Sequence, residues 1–180
     1  MNTIHRGNWL QTYSGKAFYI MDPKPEDICI IDIASALSKQ CRYAGHCINF
    51  YSVAEHCVHV ADKVDDKFKL TALMHDASEA YLVDLPRPIK KQIPQYKVLE
   101  AQLEQVIANK YKLIYPFPKE VMSIDNRILM DERIQNMGEP PMAWDKYEEN
   151  DPIGVKLGYW EPSVATRAFI NSFYMYGGKE

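Results

Sequence analysis

The chain predicts an all-α fold, an irregular bundle of about six or seven helices forming one domain over residues 1–180. Two observations carry that expectation. Apolar residues return at helical spacing in one segment after another, and stretches containing Pro or Gly divide those segments. A third is local: Ser52-Val53-Ala54-Glu55 matches a capping box, in which the Ser hydroxyl and the Glu carboxylate satisfy each other's orphan amides.

Residues 1–30 form a turn-rich lead-in with Trp9, Tyr13, Phe18 and Tyr19, a short hairpin near Ser14-Gly15 and the breaker run Asp22-Pro23-Lys24-Pro25. Ile28 to Gln40 is the first helix, because Ile30, Ile31, Ile33, Ala34 and Leu37 keep close to its period. Arg42 to Phe50 is a loop holding Gly45. The capped helix runs from Ser52 to about Val64 and places His56 roughly one turn in. Leu70 to Leu82 is one further helix, ended by Asp84-Leu85-Pro86-Arg87-Pro88. Tyr96 to Tyr111 carries Val98, Leu99, Leu103, Val106 and Ile107 on one stripe. Lys119 to Met137 follows the Pro116/Pro118 turn, residues 138–161 are an irregular, aromatic-anchored excursion over the helical body, and residues 163–176 close the chain as a helix.

The apolar and charged fractions are those of an ordinary soluble chain, and a net charge of −3 leaves no basic field to recruit nucleic acid. An anionic ligand must therefore be held by a local cationic pocket. No apolar run approaches the roughly 18 residues of a membrane span, and the N-terminal residues lack a signal-peptide profile. Cys29, Cys41, Cys47 and Cys57 form no CxxC pair, so they read as reduced, mostly buried thiols of a cytoplasmic protein.

The chemistry concentrates in His56, the adjacent pair His75-Asp76, and Asp125. Imidazoles and carboxylates from three helices suit one divalent transition ion such as Mn, Co, Zn or Fe, with positions left for water and substrate. Glu79 lies one turn after His75 and shares its face on a continuous helix, giving H-D-x-x-E from a single element. Asp125 sits among Val121, Met122, Ile124, Ile128 and Leu129, so it points inward and needs a partner. A lone helical His is ordinarily a hydrogen-bonded core or surface residue, and His59 is assigned to structure on that ground. Arg42, one loop before His56, and Lys90-Lys91, after the Pro turn, are the candidate phosphate-binding cations. Lys90 and Lys91 read equally well as solvated surface, and His46 as loop.

The segments YSVAEHCVHVA, ALMHDASEAYLVDLPRPIK and SIDNRILMDE resemble the HD-domain metal-dependent phosphohydrolases, with closest similarity to the bacterial 5'-deoxynucleotidase group and its phage-encoded relatives. The resemblance covers about residues 35–135. It implies metal ligation by His56, His75, Asp76 and Asp125, catalytic roles for Glu79 and Asp84, and a substrate-phosphate contact for Arg42. It also implies an all-α, cytosolic homo-oligomer that acts on nucleotides with ions such as Co or Mn. The chain departs from the family in three places: His56 and His75 lie only 19 positions apart, Arg42-Tyr43 stands where Arg-Trp is frequent, and the excursion after about residue 137 has no counterpart.

The expected activity is hydrolysis of a 5'-phosphate ester or anhydride of a nucleotide, by a dNMP 5'-nucleotidase or a dNTP triphosphohydrolase, with Arg42 and Lys90 on the phosphate. Two alternatives remain. One is a small alarmone pyrophosphohydrolase, against which Ala80 stands where that group has Asp. The other is an inactive HD-scaffold interaction protein, against which all four ligand positions and Glu79 are present.

Overall fold

The chain enters the fold through a two-stranded antiparallel hairpin, β1 (Leu10–Gln11) and β2 (Ala17–Phe18), with Leu10 paired to Phe18 and Gln11 to Ala17. Its turn falls at Ser14-Gly15, where Gly15 takes φ +84°, a left-handed conformation that strains any residue bearing a Cβ. The computed structural model describes residues 6–142, 144 and 151–180; residues 1–5 of the lead-in and positions 143 and 145–150 of the excursion lie outside the described residues.

The hairpin is pinned to the helical body by Asp32. That carboxylate accepts the Ser14 backbone N–H (2.6 Å), the Ser14 hydroxyl (2.9 Å) and the Cys29 thiol (2.9 Å). Burial pushes the Asp32 carboxyl up, but the bonds from Cys29 and Ser14 outweigh it and hold the pKa below its usual 3.8. A pKa depressed in the folded state stabilises the fold above the unfolded value, and the contribution disappears as pH falls through the folded value. Asp32→Asn should therefore lower stability at neutral pH and flatten the acid limb of the stability profile. Urea unfolding at about pH 7 and about pH 3 would measure both changes.

Eight α-helices follow among the described residues: α1 (Ile30–Leu37), α2 (Val53–Asp62), α3 (Lys69–Leu73), α4 (Glu79–Leu82), α5 (Arg87–Lys90), α6 (Pro94–Tyr111), α7 (Lys119–Asn136) and α8 (Pro162–Met175). The all-α bundle predicted from sequence is present, with two differences. The segment Leu70 to Leu82 is not one helix, and the Pro86-Arg87-Pro88 stretch does not only break a helix but starts the short α5. Between α3 and α4 the chain tightens into bonds spanning three residues, with Ala77 N–H to Met74 O at 3.1 Å and Glu79 N–H to Asp76 O at 3.0 Å. The Ala72 carbonyl accepts His75 Nδ1 at 2.7 Å as well as the His75 amide, which draws the helix into this tighter turn.

Helix α2 is the buried axis. It packs against α3, α7 and α8, while α1 lies against α8 and α4. Val53 through Val58 are all buried. Around them Ile33, Leu37, Tyr51, Leu73, Phe169 and Phe173 lose all exposure and form the centre of the core. A stretch this apolar leaves any polar group on α2 in need of a partner.

Glu55 meets that need in an unexpected way. Ser52 Oγ accepts the Glu55 N–H (3.1 Å), so half of the capping box forms. The reciprocal half does not, because the fully buried Glu55 carboxylate turns to the excursion. It accepts the backbone N–H groups of Gly158 (2.6 Å), Tyr159 (3.0 Å) and Trp160 (2.7 Å), with His59 Nε2 at 3.3 Å. Asp131 on α7 does the same for Ile153 (2.7 Å) and Val155 (2.8 Å). Buried carboxylates thus hold the excursion, beside ring contacts such as His59 with Trp160 at 5.3 Å. Glu55→Gln places an amide donor against a backbone donor, and should cost about 2–3 kcal/mol in denaturant-unfolding measurements.

All four cysteines are free: Cys29 and Cys57 are buried, whereas Cys41 and Cys47 are half-buried and face each other at 3.4 Å. Among the described residues no helix is long and apolar enough to cross a membrane.

Candidate metal centre

Three elements deliver the predicted quartet to one point. The Ser52 cap fixes the first turn of α2 and hence His56, the tight turn between α3 and α4 presents His75 and Asp76, and the middle of α7 presents Asp125. His56 Nε2 lies 3.2 Å from Asp125 Oδ1 and 3.6 Å from Asp76 Oδ2. His75 Nε2 lies 3.3 Å from Asp76 Oδ2 and 3.6 Å from Asp125 Oδ1. Adjacent ligands bound to one ion at about 2.0–2.2 Å stand roughly 3–3.6 Å apart, so His56, His75 and Asp125 are grouped closely enough to share an ion, with Asp76 Oδ2 beside both imidazoles.

The proton positions favour the same interpretation. His75 Nδ1 can only donate to the Ala72 carbonyl (2.7 Å), and His56 Nδ1 meets a Glu132 carboxylate oxygen at 2.7 Å. Each neutral ring therefore carries its proton on Nδ1 and turns a lone pair on Nε2 inward. Both Nε2 atoms are buried without a hydrogen-bond partner, the close approach of Asp125 to His56 lacking hydrogen-bond alignment. Two buried, unsatisfied imidazole nitrogens beside two carboxylates form a set of donors that a cation completes.

Electrostatics point the same way. Burial alone would lower both imidazole pKa values, yet the surrounding carboxylates raise them, with Asp76 the largest of these at His75 and Glu132 at His56. Burial would raise Asp125, but the close approach of the His56 and His75 imidazoles holds it well below the usual carboxylate range. The cluster thus has a strong demand for positive charge. A second grouping, Cys57 with His75 and Asp76, also brings potential ligands together. Burial pushes the Cys57 thiol up to about 11, which disfavours the thiolate a metal would take.

A cavity of about 700 Å³ opens from this point, within the range of small-molecule sites. Glu79 and Asp84 line it, and burial raises both carboxyls, Glu79 well above its ordinary value with Asp76 and Asp84 adding to the effect. The Asp84 backbone N–H donates to Gln40 Oε1 (3.0 Å), while Gln40 Nε2 donates to the Glu79 carbonyl (2.9 Å), so one side chain bridges the two. Glu79 begins α4 and does not share a continuous helix with His75, contrary to the sequence expectation. It faces the cavity because the intervening turn is tightened.

Arg42 and Lys90 also line the cavity. Arg42 is 8% exposed and its Nη1 lies 3.8 Å from Asp76, placing the guanidinium beside the His-Asp cluster. Lys90 pairs with Glu100 (2.6 Å) and lies 3.6 Å from Glu79. Lys91 is exposed at the cavity rim, His46 is exposed and outside the cavity lining, and His59 is bound to Glu55 as a structural residue.

The sequence did not single out Arg87, Trp144 or Glu132. Arg87 lines the cavity from α5, with Nη1 on Asn126 (3.2 Å) and Nη2 3.6 Å from Asp125. Its position between two prolines in the DLPRPIK motif was a usable signal. Trp144 also lines the cavity, its ring 6.0 Å from that of Tyr43. Glu132 lies behind His56 and Arg42, fully buried, and the Arg42 guanidinium, with the His56 imidazole bonded to it, holds its carboxyl down to about 2 against the opposing effect of burial.

No family model matches the chain. It is 44% identical over 126 residues to the uncharacterized protein YfdR of Escherichia coli K12, an alignment covering 70% of this chain and 71% of the relative. The chain belongs to the YfdR family. An uncharacterized protein of Rhodobacter capsulatus is 33% identical over 122 residues, covering 61% of this chain and 62% of that protein.

Proposed function

We propose that the protein is a metal-dependent phosphohydrolase of the HD-domain type, cleaving the 5'-phosphate ester or anhydride of a deoxynucleotide. The single observation that carries this reading is the pair of buried, unpartnered Nε2 atoms of His56 and His75, converging with Asp76 and Asp125 beside a cavity walled by Arg42, Arg87 and Lys90. A divalent ion bound there supplies Lewis acidity toward a phosphoryl oxygen and a lowered pKa for the attacking water.

The chain's own residues do the rest. Arg42 and Lys90, with Arg87, offer cationic donors to the equatorial phosphate oxygens. Glu79 Oε2 is buried with no hydrogen-bond partner, so it is placed to hold or take a proton within the cavity. Asp84, raised by burial, is the second proton-holding group. Tyr43, Phe117 and Trp144 give an apolar wall on which a sugar or base can pack. Free thiols at all four cysteines suit a cytoplasmic setting.

The test is a substrate panel of dNMPs, dNTPs and a guanosine alarmone. Each is incubated with protein stripped by chelation and then restored with Mn²⁺, Co²⁺, Zn²⁺ or Fe²⁺. Release of phosphate or triphosphate from deoxynucleotides, only after an ion is restored, is the expected result. Equal turnover by stripped protein, or cleavage of the alarmone alone, would overturn the assignment.

A further inference from the structure

Glu132 follows Asp125 by seven residues on α7, about two helical turns, so both project toward the same side of the helix. Three side chains converge on its carboxylate: His56 through Nδ1 (2.7 Å), Arg42 through Nε (3.2 Å) and Nη2 (3.1 Å), and Tyr43 through its hydroxyl. One carboxylate thus touches an ion ligand and the guanidinium placed for the phosphate. We infer that Glu132 is a positioning residue that sets the affinities for the divalent ion and for the substrate phosphate together.

The inference rests on the phosphohydrolase reading of the centre. A carboxylate offers only acceptors, so His56 must keep its proton on Nδ1 and direct its Nε2 lone pair toward the ligand quartet. The same carboxylate engages one edge of the Arg42 fork and leaves Nη1 directed past Asp76, at 3.8 Å. The Tyr43 hydroxyl bond also fastens the left-handed pair Tyr43 (φ 58°) and Ala44 (φ 52°), a backbone that two non-glycine residues adopt only when held. The loop is closed independently at its base, where Arg42 N–H meets Tyr51 O (2.9 Å), and on its returning limb, where Asn49 N–H meets Asn136 Oδ1 (2.8 Å). A glutamine cannot reproduce the arrangement. Its amide group sets a donor against either the imidazole N–H or the arginine and tyrosine donors.

Glu132→Gln and the parent should be compared in two titrations: Zn²⁺ by chelator competition, and inorganic phosphate by calorimetry on the Zn²⁺-saturated proteins. The expected result is Zn²⁺ affinity lowered by about 10–100-fold and phosphate affinity lowered in the same variant. A merely structural role would lower the unfolding temperature and leave both affinities of the folded protein unchanged, which overturns the inference. So does a change in one affinity alone. Absence of Zn²⁺ binding by the parent would overturn the metal reading as well, so the two failures are distinguishable. If the variant does not fold, long-range ¹H–¹⁵N spectra of the Zn²⁺-loaded parent serve instead. A proton on His56 Nδ1 supports the inference, and a proton on Nε2 overturns it.

Discussion

Asp125→Ala should abolish ion binding and reduce ion-dependent turnover by more than about 100-fold, since even partners outside the ligand shell are worth 10–100-fold in affinity or activity. The reason is geometric. Asp125 Oδ1 stands within 3.2 Å of His56 Nε2 and 3.6 Å of His75 Nε2, so it closes the ligand set opposite both imidazoles. Its loss leaves His56, His75 and Asp76 with one carboxylate where the ion needs two. His75→Ala should behave alike, because Cys57, with its thiol pushed up to about 11, is a poor replacement ligand. Ion content after dialysis, read beside turnover and far-ultraviolet circular dichroism, checks the prediction. A folded Asp125→Ala protein that retains a stoichiometric ion and parental turnover would contradict it.

The second large effect is expected at Glu79, with the opposite signature. Glu79→Gln keeps the side chain's size but cannot transfer a proton, so kcat should fall by about 10²–10⁴-fold while ion affinity stays close to that of the parent. Glu79 is 6% exposed, one oxygen lies 3.6 Å from Lys90 and the other has no hydrogen-bond partner. An isosteric amide therefore fits the space, and the loss falls on chemistry. Parallel loss of ion and of turnover would instead make Glu79 a ligand, and an unchanged kcat would remove it from the reaction.

The convergence of His56, His75, Asp76 and Asp125 was legible because residue type carries its chemistry: two imidazoles and two inward-facing carboxylates have few structural uses together. The helices were legible where apolar stripes were long, as in α6 and α7. The break between α3 and α4 was not, since Leu70 to Leu82 contains neither Pro nor Gly and the turn is tightened by the contact of His75 with the Ala72 carbonyl. Glu55 matched a local capping pattern, but its carboxylate answers to Gly158, Tyr159 and Trp160, about a hundred residues away, and no local pattern encodes such a partner. Glu132 lay hidden in the charged run Asp131-Glu132-Arg133, which resembles a solvated helix face. The usable signal was its spacing of seven from Asp125, in line with the buried Ile128 and Leu129.

Anomalous diffraction from crystals grown with Mn²⁺ or Co²⁺ tests the centre most directly. The predicted result is one peak per chain, within ligand distance of His56 Nε2, His75 Nε2, Asp76 and Asp125 at about 2.0–2.2 Å. A protein that crystallises with its fold intact and shows no peak there, or shows the ion on other residues, would contradict the account.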